Sequence, residues 1–449
     1  MYDICFLGYG VSNRGALRLF LKEQRGKAFV STLSPLLATE RQWFLSQGVS
    51  WEEGENSYRC LLSKQIVISP GISPDVPILE AAYERRIPVH SDIDFASPYF
   101  PPQLLTIGIT GTNGKTTTVE LTHHLLSVEK RSAMAGNIGT SPADLILEDS
   151  LSETDTVVFE LSSFQLHYTS IPFLNIAAIL NITADHLSWH GTFEAYSEAK
   201  RKIFSLKKVP ARDRYNLIGA PLAGGLSADF TVGYESTDTC RIIQHPRSLR
   251  IQTEAGPVHF SLESYQLKGA HNDQNAAFAS SIAYLSGVSI EGIQNGLSTY
   301  TGSEHRLEVF LIHEGVTYVN DSKSTNADSL IQAIRTYRAE GKRLLLLMGG
   351  RGKGEDYADL ASEIKNGCHF VFLCGENAPL IGPLIENSLP VSHYSDWTEA
   401  ISAAIAEAQD GDTVLFSPGG SSFDFFSNYK ERGLFFKNAC LRLLGLSSL

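Results

Sequence analysis

A glycine-rich segment, residues 104–118 with the sequence LLTIGITGTNGKTTT, holds the side chains best suited to chemistry. An apolar β-branched run ends at glycine, and a stretch with helical character follows, which is the order that a phosphate-binding loop needs. Gly111 and Gly114 allow a tight turn in which consecutive N–H groups face one anion. Lys115 adds a positive charge for the outer phosphates, and the hydroxyl of Thr116 can hold Mg²⁺. The positive end of the following helix adds to this attraction, so the segment predicts a nucleotide phosphate site.

The loop departs at one position from the general pattern G-x-x-x-x-G-K-[ST], because Ile109 replaces the first glycine. The shorter core, G-x-x-G-K-T, is intact and stands between an apolar run and a helical stretch. The alternative is a glycine-rich turn between a strand and a helix that binds nothing. The flanking elements favour the phosphate site.

Polar side chains also follow the apolar runs in the same part of the chain. Glu160 ends the run DTVVFEL, where a carboxylate is placed to bind Mg²⁺ beside nucleotide phosphates, although a salt-bridged strand end is the simpler interpretation of a lone Glu. His186 follows the next apolar run. Lys200, Arg201 and Lys202 lie on a predicted helix that begins near Thr192. A basic run of this kind is ordinarily a solvated helix face, and the sequence does not separate Lys200 from its neighbours.

Two further patterns leave alternatives open. Residues 8–13, GYGVSN, resemble the dinucleotide-binding fingerprint, but Asn13 replaces the third glycine, so an ordinary tight turn competes with a nucleotide-type ligand. Ser69 ends another predicted strand and would lie at the same sheet edge, where open α/β sheets bind ligands. Asn272 and Asn275 share one helix face and suit either a purine edge or capping and core roles.

Cationic residues and serines gather in the last third of the chain. Arg306 and Lys323 fall at block edges or strand ends, and residues 349–356, GGRGKGED, are glycine-rich and basic, which suits an anion. Ser421 and Ser422 precede a predicted helix, whose N-terminal groups and two hydroxyls are available for a carboxylate. Three pockets for anions favour ligation, in which a carboxylate is phosphorylated to an acyl phosphate and an amine then attacks it.

These side chains need elements that bring them to sheet edges. Short buried strands alternate with amphipathic helices in three blocks, which predicts an α/β fold with parallel sheets. Residues 228–262 differ, because short alternating segments separated by turns predict a small antiparallel appendage. Residues 97–102, SPYFPP, carry three prolines and predict a linker.

Size and composition limit the class of protein. The 449 residues predict about three domains of ~150 residues each. A net charge of −12 argues against nucleic acid as a partner. No apolar run approaches the ~20 residues of a membrane helix, and the N-terminus lacks a basic leader, so we expect a cytoplasmic protein without a membrane partner. The six cysteines contain no C-x-x-C pair, which argues against metal knuckles and a disulfide scaffold.

Eight motifs occur in order along the chain: TGTNGKTT, GNIG, ELSSFQL, LNIT-x-DHL, HN-x-x-N, HR, NDSK-x-TN and SPGGSSFD-x-F. Together they resemble the Mur ligases of peptidoglycan synthesis over almost the whole chain. ELSSFQL and the serine motif are most similar to the members that join D-glutamate to UDP-N-acetylmuramoyl-L-alanine. The resemblance implies a Rossmann-like N-terminal domain over 1–98 for the UDP substrate, a central P-loop ATPase domain over 99–302 and a Rossmann-like C-terminal α/β domain over 303–449 for the amino acid.

The resemblance also implies ATP, two Mg²⁺ ions and a carbamylated Lys200, in which CO₂ added to a neutral amine makes a carboxylate-like metal ligand. We expect a monomer. The implied catalytic residues are Lys115, Glu160, His186, Lys200, Arg306 and Lys323. The implied nucleotide contacts are Gly111, Thr112, Asn113, Gly114, Lys115, Thr116, Thr117, Asn272, Asn275, Arg306 and Asp321. The implied metal ligands are Thr116, Glu160, His186 and Lys200.

The resemblance divides the implied substrate contacts between the two ends of the chain. Those matched to UDP-N-acetylmuramoyl-L-alanine are Val11, Ser12, Ser31, Thr32, Ser69, Gly71, Asn137 and His186. Those matched to D-glutamate are Thr325, Lys353, Ser422, Phe423 and Tyr429.

Two departures from the family pattern bear on substrate binding. Ser31 stands where the family usually has an acid, which puts a uracil contact in doubt, and Arg351 stands where other members often have an acid. A sister ligase that adds another residue is one alternative, although no DNPR-like string is present. Folylpolyglutamate synthetase is a more distant alternative. A catalytically silent nucleotide-binding scaffold is the non-enzyme alternative, and the joint presence of Lys115, Glu160 and Lys200 argues against it.

Overall fold

The structure is a computed structural model that describes residues 1–23, 26–148, 150–208, 215–219, 229–233, 242–245, 247–253, 256–267, 269–352 and 357–446. The chain forms two compact units, Met1–Tyr265 with Asp273–Tyr300, and Gln266–Asn272 with Thr301–Leu449. Within the described residues the strands form three sheets, of five, nine and six strands.

The strands of the first unit are β1 Ile4–Leu7, β2 Ala28–Thr32, β3 Ser50–Glu53, β4 Ile66–Ile68, β5 Val89–Ser91, β6 Leu105–Thr110, β7 Ser132–Gly136, β8 Thr156–Glu160, β9 Ile176–Ile179, β10 Tyr215–Gly219, β11 Phe230–Gly233, β12 Ile242–His245, β13 Ser248–Thr253 and β14 Gly256–Ser261. Those of the second unit are β15 Glu308–His313, β16 Val316–Asn320, β17 Leu344–Gly349, β18 Phe370–Cys374, β19 Val391–Tyr394 and β20 Thr413–Gly419.

The helices, in chain order, are α1 Val11–Glu23, α2 Ala38–Gln47, α3 Pro77–Glu84, α4 Asp92–Ala96, α5 Lys115–Ser127, α6 Pro142–Leu147, α7 Ser163–Tyr168, α8 Leu187–His190, α9 Phe193–Arg201, α10 Ala270–Leu285, α11 Ile290–Thr299, α12 Ala327–Arg338, α13 Ala358–Gly367, α14 Ala378–Ile385, α15 Trp397–Glu407 and α16 Tyr429–Leu443. Short 3₁₀ turns cover Tyr58–Leu62, Ser97–Tyr99, Ser150–Ser152 and Lys202–Leu206.

The first sheet is parallel throughout, in the order β3-β2-β1-β4-β5. Its strands are short apolar runs, and β1 is buried along its whole length, as expected for a sheet covered on both faces. Asn13 accounts for the departure from the dinucleotide fingerprint. Its side-chain amide donates to the carbonyls of Leu7 at 3.1 Å, Gly8 at 2.8 Å and Val67 at 3.2 Å, so it ties β1 to β4.

The second sheet has the order β14-β13-β12-β11-β10-β9-β6-β8-β7. Strand β6 lies between β9 and β8 and is parallel to both, and Ile109 of β6 pairs with Glu160 of β8. The phosphate loop and Glu160 therefore leave the sheet at the same edge. The antiparallel appendage is confirmed for β12, β13 and β14. The earlier part of that stretch differs from the expectation, because β11 pairs in parallel with both β10 and β12.

The third sheet has the order β15-β16-β20-β17-β18-β19. All its pairings are parallel except β15 with β16, an antiparallel hairpin at one edge. The α/β class expected from the alternation of strands and helices is confirmed in all three sheets. Edge strand β15 was missed, although a two-residue turn, Glu314-Gly315 with φ of +48° and +77°, separates its sequence, EVFLIH, from the following strand.

Residues 97–102, the predicted linker, connect the first and second sheets as a packed segment. Phe100 is buried, and its ring centroid lies 5.6 Å from that of Phe159 and 6.3 Å from that of Phe173. The prolines stiffen a connection whose aromatic side chain belongs to the core.

Within the described residues, no helix combines the length and apolar character needed to cross a bilayer. The five cysteines of the described part, Cys5, Cys60, Cys368, Cys374 and Cys440, are buried free thiols, as their scattered spacing indicated.

Candidate active site

The phosphate loop takes the backbone form that its glycines predict. Helix α5 begins at Lys115, and Gly114 before it has a φ of +83°. A Cβ added at Gly114 would lie 2.4 Å from the Asn275 side-chain oxygen, so both the backbone angle and the available space require glycine here. The buried Asn275 amide oxygen also accepts a hydrogen bond from the Thr118 hydroxyl at 3.2 Å.

Residues that follow strand β9 hold the phosphate loop in place through hydrogen bonds. The Asn113 N–H donates to Asn181 Oδ1 at 2.9 Å, and Asn181 Nδ2 donates back to the Asn113 carbonyl at 3.1 Å. The hydroxyls of Thr112 and Tyr196 share a hydrogen bond of 2.8 Å. Thr112 Oγ1 also accepts from the Thr183 N–H at 3.0 Å. These bonds fix the loop backbone before any ligand binds, which is how a phosphate site is preorganised.

Two lysines converge on one carbonyl of the loop. Lys115 Nζ donates to the carbonyls of Gly111 at 2.8 Å and Thr112 at 2.7 Å, and Lys200 Nζ donates to the same Gly111 carbonyl at 2.8 Å. Lys200 is only 1% exposed and lies over the Tyr196 ring, 4.8 Å from its centroid. Burial first, and then the Lys115 charge, hold the pKa of Lys200 well below its usual range.

The structure separates Lys200 from its basic neighbours, which the sequence left open. Arg201 Nε donates to the Ser197 hydroxyl at 3.1 Å, and Lys202 Nζ donates to the His167 carbonyl at 2.8 Å. Helix α9 thus directs only Lys200 of this run to the phosphate loop.

Glu160 presents a carboxylate beside the loop. It is 2% exposed, and its Oε1 accepts from the side-chain amide of Asn137 at 2.8 Å. Its other oxygen, Oε2, is buried and has no hydrogen-bond partner among the described residues. A buried carboxylate oxygen without a donor is costly unless a cation satisfies it, so this oxygen fits a magnesium ligand.

The other predicted metal ligands are placed differently. Thr116 is buried in the first turn of α5. His186 precedes α8 with a φ of +54°, and its Nε2 lies 3.4 Å from Asp185 Oδ2. In the part of the chain that the structure describes, no three His, Cys, Asp or Glu residues gather as a metal site.

Six of the residues matched to the UDP substrate lie at the carboxyl edge of the first sheet, whereas Asn137 and His186 follow strands of the second sheet. Val11 and Ser12 open α1, Ser31 and Thr32 end β2, and Ser69 and Gly71 follow β4. A Cβ built on Gly10 would lie 3.3 Å from the Ser69 hydroxyl, which places the GYG turn against Ser69. A groove of about 500 Å³ lined by Val11, Arg18 and residues 139–141 adjoins this edge.

Ser31 stands where the family usually has an acid, but another acid, Glu52, lies beside it. Its hydroxyl donates to the buried Glu52 carboxylate at 2.8 Å and lies 2.9 Å from Asn56 Oδ1. Glu52 comes from the adjacent strand β3 and also accepts from the Ser57 N–H at 2.9 Å.

In the second unit, the NDSK motif turns at the end of β16. Asp321 is buried, accepting from the Ser417 hydroxyl at 2.7 Å, and burial raises its pKa to about 7. Lys323 Nζ lies 3.9 Å from the centroid of the Tyr429 ring. Asn272 is buried in α10, and Thr325 is half-buried just before α12.

The serine motif differs from the expectation. Helix α16 begins only at Tyr429, so Ser421 and Ser422 do not form its N-terminus. The N-cap is Asn428, whose side chain accepts from the Glu431 N–H at 2.9 Å. Ser422 is nonetheless buried, at 3% exposure.

The remaining residues matched to D-glutamate differ in their placement. Phe423 is 64% exposed, whereas Lys353 lies outside the described residues. Arg351 donates two hydrogen bonds of 2.8 Å to the Glu376 carboxylate, so its charge is paired with an acid of this chain.

Arg432 is a buried cation beside the NDSK turn that sequence reasoning missed. It is 0% exposed and donates to the Ser322 carbonyl at 2.8 Å, the Ser322 hydroxyl at 3.1 Å and the Gly420 carbonyl at 3.0 Å. It thereby joins the NDSK turn to the serine motif. The signal was its helical spacing from Phe436 and Cys440, which marks the buried face of α16.

A preorganised phosphate loop at the edge of a parallel sheet, with a lysine and an unsatisfied carboxylate beside it, defines a P-loop nucleotide-binding protein. Residues 3–78 match the MurD N-terminal domain, residues 109–283 the Mur ligase middle domain and residues 305–420 the Mur ligase glutamate ligase domain. The chain belongs to the Mur ligase family, and it is an ATP-dependent ligase.

Named relatives match over nearly the whole chain. A UDP-N-acetylmuramoylalanine–D-glutamate ligase of Elusimicrobium minutum is 33% identical over 453 residues, 96% of each chain. A protein of the same name from Pseudothermotoga lettingae is 32% identical over 445 residues, 98% of each chain.

Solved structures show the same fold. The MurF ligase of Thermotoga maritima in complex with ADP has a TM-score of 0.60 at 18% identity, covering 94% of this chain and 96% of that chain. The UDP-N-acetylmuramate-alanine ligase of Thermotoga maritima has a TM-score of 0.58 at 16% identity, covering 99% of both chains. The three-domain α/β fold expected from the motifs is thereby confirmed.

Proposed function

We propose that this enzyme joins D-glutamate to UDP-N-acetylmuramoyl-L-alanine with hydrolysis of ATP to ADP and phosphate. The observation that carries the proposal is the match to ligases of that name over at least 96% of both chains. The domain boundaries proposed with this function are 1–98, 99–302 and 303–449.

The proposed chemistry proceeds in two displacements. A carboxylate oxygen of the alanyl group attacks the γ-phosphorus of ATP, the bond to the β-phosphate oxygen breaks, and ADP leaves. The amine nitrogen of D-glutamate then attacks the acyl carbon, phosphate leaves, and the nitrogen loses a proton. Loop N–H groups, Lys115 and Arg306 would offset the charge that gathers on the transferred phosphoryl group.

We propose that two Mg²⁺ ions bind at this site. Thr116, Glu160, His186 and a carbamylated Lys200 would hold them, and the unpaired Glu160 oxygen supports this assignment. When bound, Mg²⁺ would neutralise phosphate charge during transfer. The two displacements otherwise depend on how the chain orients the carboxylate, ATP and the amine.

The two substrates would be bound by different parts of the chain, the UDP substrate by its N-terminal part and D-glutamate by its C-terminal part. The carboxyl edge of the first sheet, with Ser12 and Ser69, would take the UDP substrate together with Asn137 of the second sheet, and Asn137 would also link it to Glu160 through their hydrogen bond. Thr325, Ser422 and Tyr429 would take D-glutamate, together with Lys353 and Phe423. Asn272, Asn275 and Asp321 would contact the nucleotide.

The decisive experiment measures phosphate release with ATP, magnesium and UDP-N-acetylmuramoyl-L-alanine while the acceptor amino acid is varied. Release with D-glutamate alone supports the proposal. Release with another amino acid identifies a sister ligase. Release when a folate replaces the UDP substrate as the carboxylate, with L-glutamate as the amine, would indicate a folylpolyglutamate synthetase. ATP binding without release from any acceptor identifies a silent scaffold.

Ser422→Ala is expected to raise the KM for D-glutamate about tenfold or more while the KM for ATP changes little. The buried hydroxyl is a neutral donor to a carboxylate, and its loss leaves that charge short of one hydrogen bond. Steady-state kinetics with each substrate varied in turn measures the two constants. Ser421→Ala is the matched control, and equal changes in both KM values would remove Ser422 from the acid pocket.

A further inference from the structure

Arg306 lies between two residues with left-handed backbone angles. His305 has a φ of +66° and Leu307 a φ of +44°. Residues with a Cβ rarely adopt these angles, and they keep them only where the surroundings hold them. The direction of the Arg306 side chain is therefore set by a turn that would relax without external contacts.

Asn320 supplies the central contact to this turn. It is the last residue of β16, is 0% exposed and pairs across the hairpin with Glu308. Its Nδ2 donates to His305 Nδ1 at 2.8 Å and to Glu308 Oε2 at 3.0 Å, and its Oδ1 accepts from the Ser322 N–H at 3.2 Å. The reversed amide would face the Glu308 carboxylate with an oxygen, so the neighbours fix its orientation.

The same contacts define the state of His305. Because His305 Nδ1 accepts from Asn320, the ring is neutral with its proton on Nε2. Burial lowers the pKa of His305, which agrees with this state. A Cβ added at Gly433 would lie 2.3 Å from His305 Nδ1, so α16 also needs a glycine where the ring approaches it.

Further hydrogen bonds attach the turn on both sides. The His305 N–H donates to Glu308 Oε2 at 2.9 Å, and Lys437 Nζ donates to Glu308 Oε1 at 2.8 Å. The Lys323 N–H donates to the His305 carbonyl at 3.0 Å. The Leu307 N–H donates to Asp321 Oδ1 at 3.2 Å.

We infer that Asn320 is a positioning residue, which holds the left-handed turn at residues 305–307 and through it aims Arg306 for catalysis. The inference rests on the proposed phosphate contact of Arg306. Glu308 completes the support, because its carboxylate accepts from both the Asn320 amide and the His305 N–H. Lys437 in turn holds the Glu308 carboxylate.

The test uses Asn320→Asp, which keeps the shape of the side chain but replaces both donor hydrogens with an acceptor facing His305 and Glu308. We expect kcat for phosphate release to fall roughly 10- to 100-fold, because misplacement of a group that acts in the transition state is felt in kcat. The KM values for D-glutamate and the UDP substrate should change less than about threefold. Asn320→Ala removes the donors without adding an acid and serves if Asn320→Asp does not fold.

A double-mutant cycle separates positioning from a general structural role. If Asn320 acts through Arg306, the double variant Asn320→Asp/Arg306→Ala should be no slower than Arg306→Ala alone. If the fall in kcat of the double variant equals the product of the falls in the two single variants, the inference is overturned. A wild-type kcat in the Asn320 variants or in Arg306→Ala would also overturn it. Asp396→Ala, which removes the N-cap of α15, controls for lost stability and should retain kcat.

Failure of the proposed function would look different. In that case the wild-type enzyme would release no phosphate with D-glutamate and the UDP substrate. The cycle would then be measured with whichever acceptor supports release, and multiplication of the two losses would still overturn the role of Asn320. If no acceptor supports release, no turnover exists for Asn320 to assist and the inference falls as well.

Discussion

Lys115→Ala is expected to reduce phosphate release by roughly 10³-fold or more, close to the limit of detection. Lys115 opens α5, and its ammonium lies over the loop within 2.8 Å of the Gly111 carbonyl. Lys200 cannot take over this role, because its side chain is buried and bonded to the same carbonyl. The loss should appear in kcat, since the phosphoryl group carries most charge in the transition state.

The measurement is steady-state phosphate release at saturating substrates, with a thermal melt of the same protein. The Asn113–Asn181 and Thr112–Tyr196 hydrogen bonds do not involve Lys115, so the variant should remain folded. Lys365→Ala, on the exposed face of α13, is the matched control and should retain full turnover. Turnover near the wild-type rate in Lys115→Ala would remove the loop from the chemistry.

The central elements of each sheet could be predicted because they are long apolar runs between clear helical stretches. Strand β6, helix α5 and strand β8 lie where the sequence placed them, and with them the loop and Glu160. Strand direction in the appendage could not be predicted in the same way. The alternation in β11 looks alike whether its neighbour runs parallel or antiparallel, and the pairing is decided by partners distant in sequence.

The start of α16 could have been predicted from a capping pattern in the sequence, but the serine motif was interpreted as the helix start. Asn428 followed three residues later by Glu431 is typical of a helix N-terminus, and it places the start of the helix at Tyr429, seven residues beyond Ser422. Because glycines and serines precede many helices, the prediction instead placed the helix start directly after Ser422. The serine motif is a turn structure, tied to Arg351 by backbone hydrogen bonds of 2.9 Å.

Which residue of the basic run 200–202 lies at the phosphate loop could not be predicted, because the three side chains have different partners and only tertiary packing shows which one is covered. The same holds for Arg432, whose burial depends on the NDSK turn and the serine motif meeting at α16. Charged side chains are almost always read as exposed from sequence, and buried ones at functional sites are the exceptions.

Lys200→Arg is expected to lower turnover about 100-fold or more, although it keeps the positive charge. Burial first, and then the Lys115 ammonium on the same Gly111 carbonyl, lower the pKa of Lys200 well below its usual range, which makes the neutral amine easier to reach. A neutral amine attacks the carbon of CO₂ and loses a proton, which leaves an anionic carbamate. That anion would attract Lys115 and offer oxygens to Mg²⁺, whereas arginine stays protonated and cannot react.

The proposal for Lys200 also predicts a response that charge alone would not give. Wild-type turnover should fall in CO₂-depleted buffer and return when bicarbonate is added, whereas Lys200→Arg should be slow in both. Lys202→Arg, two residues further along the chain and bonded to the His167 carbonyl, is the matched control and should respond as the wild type does. If Lys200→Arg turned over at the wild-type rate, the buried lysine would be a structural donor to the Gly111 carbonyl, because arginine can make that hydrogen bond and cannot form a carbamate.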